Sequence, residues 1–189
     1  MKILKSTIPE ASLLQHEETL YDYINSFKGT FIDRENGITP NMVCKAFFAT
    51  APKRIKQLFN FRNMLASFSG LQSTPKADTK KSLLESFKVE MGHRLGMFKV
   101  YAITKNEVVL GEDGKHLNFR IYFHIRKQTT DGTIKELTVS TAVKFNNWFG
   151  RLYFLPVKPF HKFIVPSMLK AMILELETKQ LSPKAELVY

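Results

Sequence analysis

A long helical segment in the last third of the chain, apolar on almost every side, restricts the possible folds. A helix of this kind needs cover on more than one side. A curved sheet wrapped around it, with other helices or loops closing the ends, would supply that cover. Pro166 removes one helical hydrogen bond, so we expect a kink or a restart near Val165. The apolar residues are Phe160, Phe163, Ile164, Val165, Met168, Leu169, Met172, Ile173 and Leu176.

Alternating apolar and polar side chains predict antiparallel strands before this segment. In the clearest strand, Leu117, Phe119, Ile121, Phe123 and Ile125 share one face. A partner strand follows the turn at Asp131-Gly132, and Arg120 or Arg126 could pair with Glu136 across the two strands. The predicted strands cover residues 21–32, 97–104, 107–111, 117–126 and 137–145, with turns at 105–106 and 112–114.

Two helices are predicted between the first strand and the others. Thr39-Pro40 suits an N-cap and first helical residue, and the helix should end near Thr50. Pro52 can open a second helix that Gly70 stops, and residues 72–81 read as an exposed loop. Because strands and helices segregate along the chain, the fold class is α+β. We expect a single domain over residues 1–189, with its core at about 21–177 and peripheral ends.

Composition narrows the function classes. The formal net charge of +11 invites binding to nucleic acid or an anionic membrane, but the basic residues are spread evenly along the sequence. Cys44 is the single cysteine, which excludes an intrachain disulfide framework and fits a reducing compartment. Lys5 and Pro9 interrupt any signal-peptide core, and no segment reaches bilayer-spanning length. We therefore expect a cytoplasmic protein.

Three stretches carry a family resemblance: residues 107–120, residues 150–165, and 62–65 with Gly70-Leu71. They are similar to motifs of an uncharacterised bacterial domain-of-unknown-function family of the helix-grip (SRPBCC) superfamily. That superfamily includes START lipid-transfer domains, birch-pollen-allergen-like proteins and polyketide-cyclase-like enzymes. The resemblance covers about residues 22–172 and implies a curved sheet around the last helix with an apolar cavity between them. Some members follow a nicotinamide-dinucleotide-binding domain, but this chain has no Gly-x-Gly-x-x-Gly stretch.

His161 is the first candidate for a polar contact inside that cavity. It falls on the helical stripe of Val157, Ile164 and Met168, so it should face inward. A lone histidine on an apolar stripe is also commonly a hydrogen-bonded structural residue, and both interpretations stay open. Tyrosines combine apolar area with one polar group and suit cavity walls. The candidate ligand-binding residues are His161, Tyr153, Tyr101, Phe119 and Met168.

Asp113 and His116 straddle a predicted tight turn, and Arg151 opens the final helical region. An ion pair between Asp113 and Arg151 would clamp the turn to the helix. Neither motif supplies a nucleophile with its base, so we interpret this group as structural and leave catalytic residues unassigned. No two histidines have the spacing of a helical metal site, and Cys44 reads as a buried structural thiol. We expect neither a metal nor a cofactor.

Three hypotheses for function follow. The first is non-enzymatic binding of a small hydrophobic or amphipathic molecule or lipid in a cavity between the sheet and the last helix. The alternative is a cyclase-like or hydratase-like enzyme that uses His161, Tyr153 or Asp113 for acid–base chemistry. The second alternative is a basic surface for nucleic acid or an anionic membrane. Ligand identity and oligomeric state do not follow from the sequence.

Overall fold

The elements follow one another in the predicted order, with additions at the N-terminal end. A computed structural model describes residues 1–50, 89–95 and 98–181. The predicted helix over 52–70 and the loop over 72–81 lie outside these residues. The strands are β1 (Leu4–Ser6), β2 (Tyr23–Ile32), β3 (Arg94–Leu95), β4 (Phe98–Ile103), β5 (Glu107–Asp113), β6 (Leu117–Lys127) and β7 (Ile134–Phe145). The helices are α1 (Leu13–Glu17) with a 3-10 turn at Glu18–Leu20, α2 (Pro40–Thr50) and α3 (Trp148–Leu181).

The strands form one curved antiparallel sheet in the order β1-β2-β7-β6-β5-β4-β3. The chain is therefore an α+β protein, as the segregation of strands and helices predicted. The long hairpin of β6 and β7 lies near the centre, with Phe123 opposite Val139 and Ile125 opposite Leu137. Because side chains alternate across a strand, this register places the predicted apolar set on one face, here called the inner face.

Helices α2 and α3 cover the inner face. Leu169, Met172 and Ile173 of α3 are buried in the same core as Phe47 of α2 and Phe31 of β2. The sheet and α2 thus cover the C-terminal half of α3 from two sides, as its apolar composition required. The N-terminal half differs, because large apolar side chains remain exposed there, among them Trp148 and Phe163.

Of the predicted kink or restart near Val165, the restart is wrong, because α3 continues through Pro156, Pro159 and Pro166, and the kink stays a prediction. Each proline lacks the N–H that would bond the carbonyl four residues earlier. Those carbonyls belong to Leu152, Leu155 and Lys162, all of them exposed residues. Water can satisfy a carbonyl on the solvent side, so the helix persists there at lower cost than in an interior.

Two ion-pair predictions for the central hairpin have different outcomes. Arg126 donates to Glu136 across the strands at 3.0 Å, as predicted, and Lys28 approaches the other carboxylate oxygen at 3.0 Å. Arg120 instead pairs with Asp113 at 2.7 Å. The strand register explains the difference, because Arg126 lies opposite Glu136 whereas Arg120 lies opposite Ala142 and is left to the acidic residue at the end of β5.

A buried ion pair fixes the connection between β2 and α2. Asp33 is 0% exposed and accepts a charge-assisted hydrogen bond from the ammonium of Lys135 on β7. Its carboxylate also accepts from the backbone N–H groups of Gly37 at 3.1 Å and Ile38 at 3.0 Å, and from Gln180 Nε2 at 3.2 Å. One side chain therefore joins the loop after β2, the strand β7 and the end of α3.

The N-terminal residues cover the opposite, outer face of the sheet. The Ser12 hydroxyl donates to Glu107 Oε1 at 2.6 Å, and the Leu13 N–H donates to Oε2 at 2.8 Å. Nearby, the Tyr122 hydroxyl donates to Glu17 Oε2 at 2.8 Å. Burial raises the pKa of Glu107, although the hydrogen bonds from Ser12 and Leu13 oppose the shift. The polar contacts attach residues 12–17 to strands β5 and β6.

Candidate functional site

The first turns of α3 lie over one end of the inner face and enclose an apolar cluster, here called the α3 cluster. Its buried members are Val143 of β7 and Phe154 and Val157 of α3. Predicted ligand-binding residues Phe119 and Tyr153 pack against it, as do Tyr23, Leu117 and Phe145. This region combines aromatic walls from both the sheet and the helix, and any ligand seated there would contact residues of both.

Among the described residues, two polar atoms at the α3 cluster lack hydrogen-bond partners. His161 Nδ1 and the Tyr23 hydroxyl are buried, and neither has a partner of good hydrogen-bond geometry in the described part of the chain, although the Asn25 side chain lies close enough to the hydroxyl to oppose the rise in its pKa. Their rings meet edge to face with centroids 6.5 Å apart, and both contact Phe154, at 4.8 Å from Tyr23 and 5.9 Å from His161. Buried polar groups in proteins are nearly always hydrogen-bonded, so an adjacent unpaired couple points to a third participant.

The electrostatics of this pair are those of two neutral groups. Burial lowers the pKa of His161 to about 4, so at neutral pH one ring nitrogen donates a hydrogen bond and the other accepts one. Burial also raises the pKa of Tyr23, and the nearby Asn25 side chain opposes that shift. The Lys158 ammonium lies over the Tyr23 ring at 5.7 Å from its centroid, on the exposed side. The site thus offers neutral donors and acceptors inside, with the Lys158 ammonium at its edge.

Not all of the predicted ligand-binding residues meet there. Met168 lies in the main core with Leu169 and Met172, further along α3. Tyr101 is on the outer face, so its assignment to the same site as His161 is wrong. Tyr101 follows the inward-facing Val100 and packs in the outer-face cluster, where its ring stacks on the Arg120 guanidinium at 3.5 Å. Alternation from Phe98 and Val100 gives Tyr101 this outward position, and the register irregularity between Val100 and Ala102 brings Ala102 to the same face.

Asp113 and Arg151, the two ends of the predicted clamp, each contact other residues. Asp113 accepts from Arg120 and, at 2.8 Å, from the Tyr101 hydroxyl, whereas Arg151 pairs with Asp22 at 3.3 Å. The predicted Asp113–Arg151 pair is therefore wrong. Asp113 lies at the end of β5 and faces its neighbour on β6, which keeps it away from α3.

His116 instead joins the turn to α3. Its Nδ1 lies 3.2 Å from Asn147 Oδ1, and its ring packs on Phe149 with centroids 4.7 Å apart. Gly150 permits this approach, because a Cβ there would lie 2.0 Å from the His116 carbonyl oxygen. The glycine that opens the second sequence motif thus brings the first motif against the helix.

Tyr23 is the candidate that sequence reasoning missed. It stands first in the inner-face series of Tyr23, Phe27 and Phe31, which resembles ordinary core. The sequence signal that could have identified Tyr23 is its hydroxyl, because a tyrosine on a buried face needs a hydrogen-bond partner for that group. His124 on the outer face is a similar case, because its buried Nε2 also lacks a partner among the described residues. Cys44 is buried as expected, and burial raises the pKa of its thiol to about 12.

The described ranges contain no group of three His, Cys, Asp or Glu side chains close enough to hold a metal ion. Within the same ranges, no helix combines the length and apolar composition needed to cross a bilayer.

Comparison with known families shows to which family the chain belongs. The profile of a family described as "Protein of unknown function (DUF2867)" matches residues 21–168, which is most of the sequence. The chain belongs to this family. A search of curated proteins found no match. The family match spans β2 to α3 and includes Tyr23 and His161, so the candidate site lies wholly within it.

Proposed function

We propose that this DUF2867 domain binds a small amphipathic molecule between the inner face of the sheet and the first half of α3. The observation that carries the proposal is the couple of Tyr23 and His161, whose adjacent side chains each bury a polar atom that has no hydrogen-bond partner among the described residues. The polar group of the ligand bonds these two side chains, and its apolar part packs against Phe154 and its neighbours. The binding is non-enzymatic.

The chemistry of the couple selects the polar group. An unpaired buried hydroxyl or imidazole nitrogen costs about 1–3 kcal/mol, and a ligand that pairs both recovers that free energy. The Tyr23 hydroxyl donates, and neutral His161 donates or accepts at Nδ1 according to tautomer. A hydroxyl, ketone or amide satisfies both side chains without burying a charge. A carboxylate is disfavoured, because the cation near the couple, Lys158, is on the exposed side of the Tyr23 ring.

A helix-grip assignment within the SRPBCC superfamily accompanies this proposal. The order of the elements, the curved antiparallel sheet and the position of α3 on its inner face support it. A space between sheet and helix is where this architecture accommodates ligands, which agrees with the location of Tyr23 and His161.

A thermal-shift experiment tests the proposal. The panel contains long-chain alcohols, monoacylglycerols, sterols and aromatic ketones, with fatty acids as the charged comparison. A ligand at about 100 times its Kd adds about 2.7 kcal/mol to the free energy of unfolding, or about 5–11 °C in Tm for a chain of this size. We expect a neutral amphipathic compound to give such a shift.

Variants localise the binding. Tyr23→Phe and His161→Phe keep the aromatic packing and remove the polar atoms, so each should abolish most of the ligand-induced shift. Tyr101→Phe on the outer face is the matched control and should retain it. The proposal is rejected if no compound stabilises the protein, or if all three variants respond equally.

A further inference from the structure

The first half of α3 carries an exposed apolar stripe on the side away from the sheet. It consists of Trp148 (73% exposed), Leu152 (53%), Leu155 (64%) and Phe163 (77%). At 3.6 residues per turn, these four positions fall within an arc of about 80°. The exposed Pro159 lies in the same arc, between Leu155 and Phe163. The opposite side of the helix holds Phe154 and Val157 in the α3 cluster, so the stripe is a second apolar surface.

Basic side chains border this stripe along one edge. Arg151, Lys158 and Lys162 are exposed and lie within about 40° of each other on the helix circumference. Arg151 makes one ion pair, with Asp22 at 3.3 Å, and Lys158 lies over the Tyr23 ring. The sequence from residue 148 to residue 174 contains no Asp or Glu. Apolar and cationic groups therefore share one face with no acidic residue of α3 near them.

We propose that this face of α3 binds the surface of an anionic lipid bilayer. Helices that lie in the membrane interface combine Trp, Phe and Leu on one side with flanking Lys and Arg. The stripe would enter the headgroup and upper acyl region, with Trp148 at the interface, while the three basic residues contact anionic headgroups. The net charge of +11 adds long-range attraction to the same surface.

Charge complementarity selects this partner over two others. A second copy of the chain would bring the basic edges of two α3 helices together, which repels. A nucleic acid would pair with the basic edge but would leave Leu152, Leu155 and Phe163 against phosphates or water. An anionic bilayer satisfies both halves of the face at once.

Vesicle binding tests the proposal, with Trp148 as the probe because it is the only tryptophan in the sequence. The protein is mixed with vesicles of phosphatidylcholine alone or of phosphatidylcholine with phosphatidylserine, an anionic lipid of the cytoplasmic leaflet. We expect cosedimentation and a blue shift of Trp148 emission with the anionic vesicles only. Binding should weaken as salt rises, since Debye screening weakens attraction between exposed charges.

Surface variants separate the apolar and the electrostatic contributions to vesicle binding. Leu152→Ser with Phe163→Ser should remove most binding, and Ile134→Ser, an exposed apolar residue on β7, should not. Each lysine near the surface contributes about fivefold in affinity. Lys158→Gln with Lys162→Gln should therefore reduce the affinity about 25-fold, whereas Lys105→Gln with Lys127→Gln should have little effect. Circular dichroism confirms that these exposed substitutions leave the fold intact.

Four results would overturn the proposal. They are equal binding to neutral and anionic vesicles, no binding to either, a vesicle-free dimer that Phe163→Ser dissociates, and a Trp148 shift caused by an oligonucleotide that competes with vesicles. Tyr23→Phe should bind vesicles like the unaltered protein, so this test is independent of ligand binding at the couple.

Discussion

Removing the Tyr23 hydroxyl should stabilise the unliganded protein. The atom is buried and has no partner among the described residues, so the folded state carries its desolvation cost without a compensating hydrogen bond. Mutational data put that cost at about 1–3 kcal/mol. Phenylalanine keeps the ring contacts with Phe154 and His161 while eliminating the polar atom. Tyr23→Phe should therefore raise the free energy of unfolding. We expect about 1–2 kcal/mol, the lower part of that range, because the ring is only half-buried.

Tyr122→Phe is the matched comparison with the opposite sign. The Tyr122 hydroxyl donates to the Glu17 carboxylate and lies 3.1 Å from the Tyr21 hydroxyl. A hydrogen bond to a charged group contributes about 1.5–3 kcal/mol, so this variant should lose stability of that order. Urea unfolding followed by circular dichroism at pH 7 measures both. In Tm, each kcal/mol corresponds to about 2–4 °C for a chain of this size.

The reasoning about Tyr23 is refuted by one clear result. If Tyr23→Phe costs as much stability as Tyr122→Phe, its hydroxyl is hydrogen-bonded in the unliganded protein, with Asn25 as the nearest candidate. The ligand proposal would then lose one of its two polar contacts.

Three further predictions concern buried titratable groups. Lys135→Met should lower the free energy of unfolding by about 3–5 kcal/mol, because it leaves the buried Asp33 carboxylate without its cation. The double variant with Asp33→Asn should recover part of that loss. Urea unfolding measures both, and additive losses would contradict the reasoning. The folded-state pKa of His161 is about 4 against 6.5 when unfolded, so the unfolded state binds the extra proton first and stability falls as pH drops from 6.5 to 4, by about 3 kcal/mol in all. His161→Phe should lack that fall, so the fall should appear in the difference between the pH profiles of the unaltered protein and the variant; parallel profiles would show that the ring protonates without penalty. Cys44 should resist a thiol-reactive disulfide reagent at pH 8 until denaturant is added, because it is buried and its pKa is raised to about 12, and rapid labelling of the folded protein would contradict its position.

The sequence predicted those parts of the fold that depend on periodicity. Alternation identified β2, β6 and β7 and their inner faces, since burial on one face imposes a period of two. The pair Thr39-Pro40 located the start of α2 because capping is a local property. His161 was placed on the inward side of α3 by its helical spacing, and its ring does contact Phe154 and Tyr23.

Features that depend on tertiary contacts could not be predicted in this way. The bulge that brings Ala102 to the same outer face as Tyr101 is a one-residue shift in pairing, which leaves no mark on composition. The partner of Asp113 depended on which strand lay beside β5. The buried pair of Asp33 and Lys135 joins residues 102 positions apart, and neither looks different from a surface charge in the sequence. Tyr23 was hidden for a related reason, because an unpartnered hydroxyl is a property of its surroundings.

Two prolines of α3 require that hydrogen-bond donors, such as water, stay close to the exposed side of the helix. Pro156 and Pro159 leave the carbonyls of Leu152 and Leu155 without helical donors, and both residues belong to the apolar stripe. In hydrocarbon an unsatisfied carbonyl costs several kcal/mol, more than a leucine side chain gains by entering it. The side chains can therefore be immersed only to the depth at which water or headgroup donors still reach the backbone. The axis of α3 should therefore lie at the level of the headgroups, and Pro156 and Pro159 limit how deeply the helix can insert.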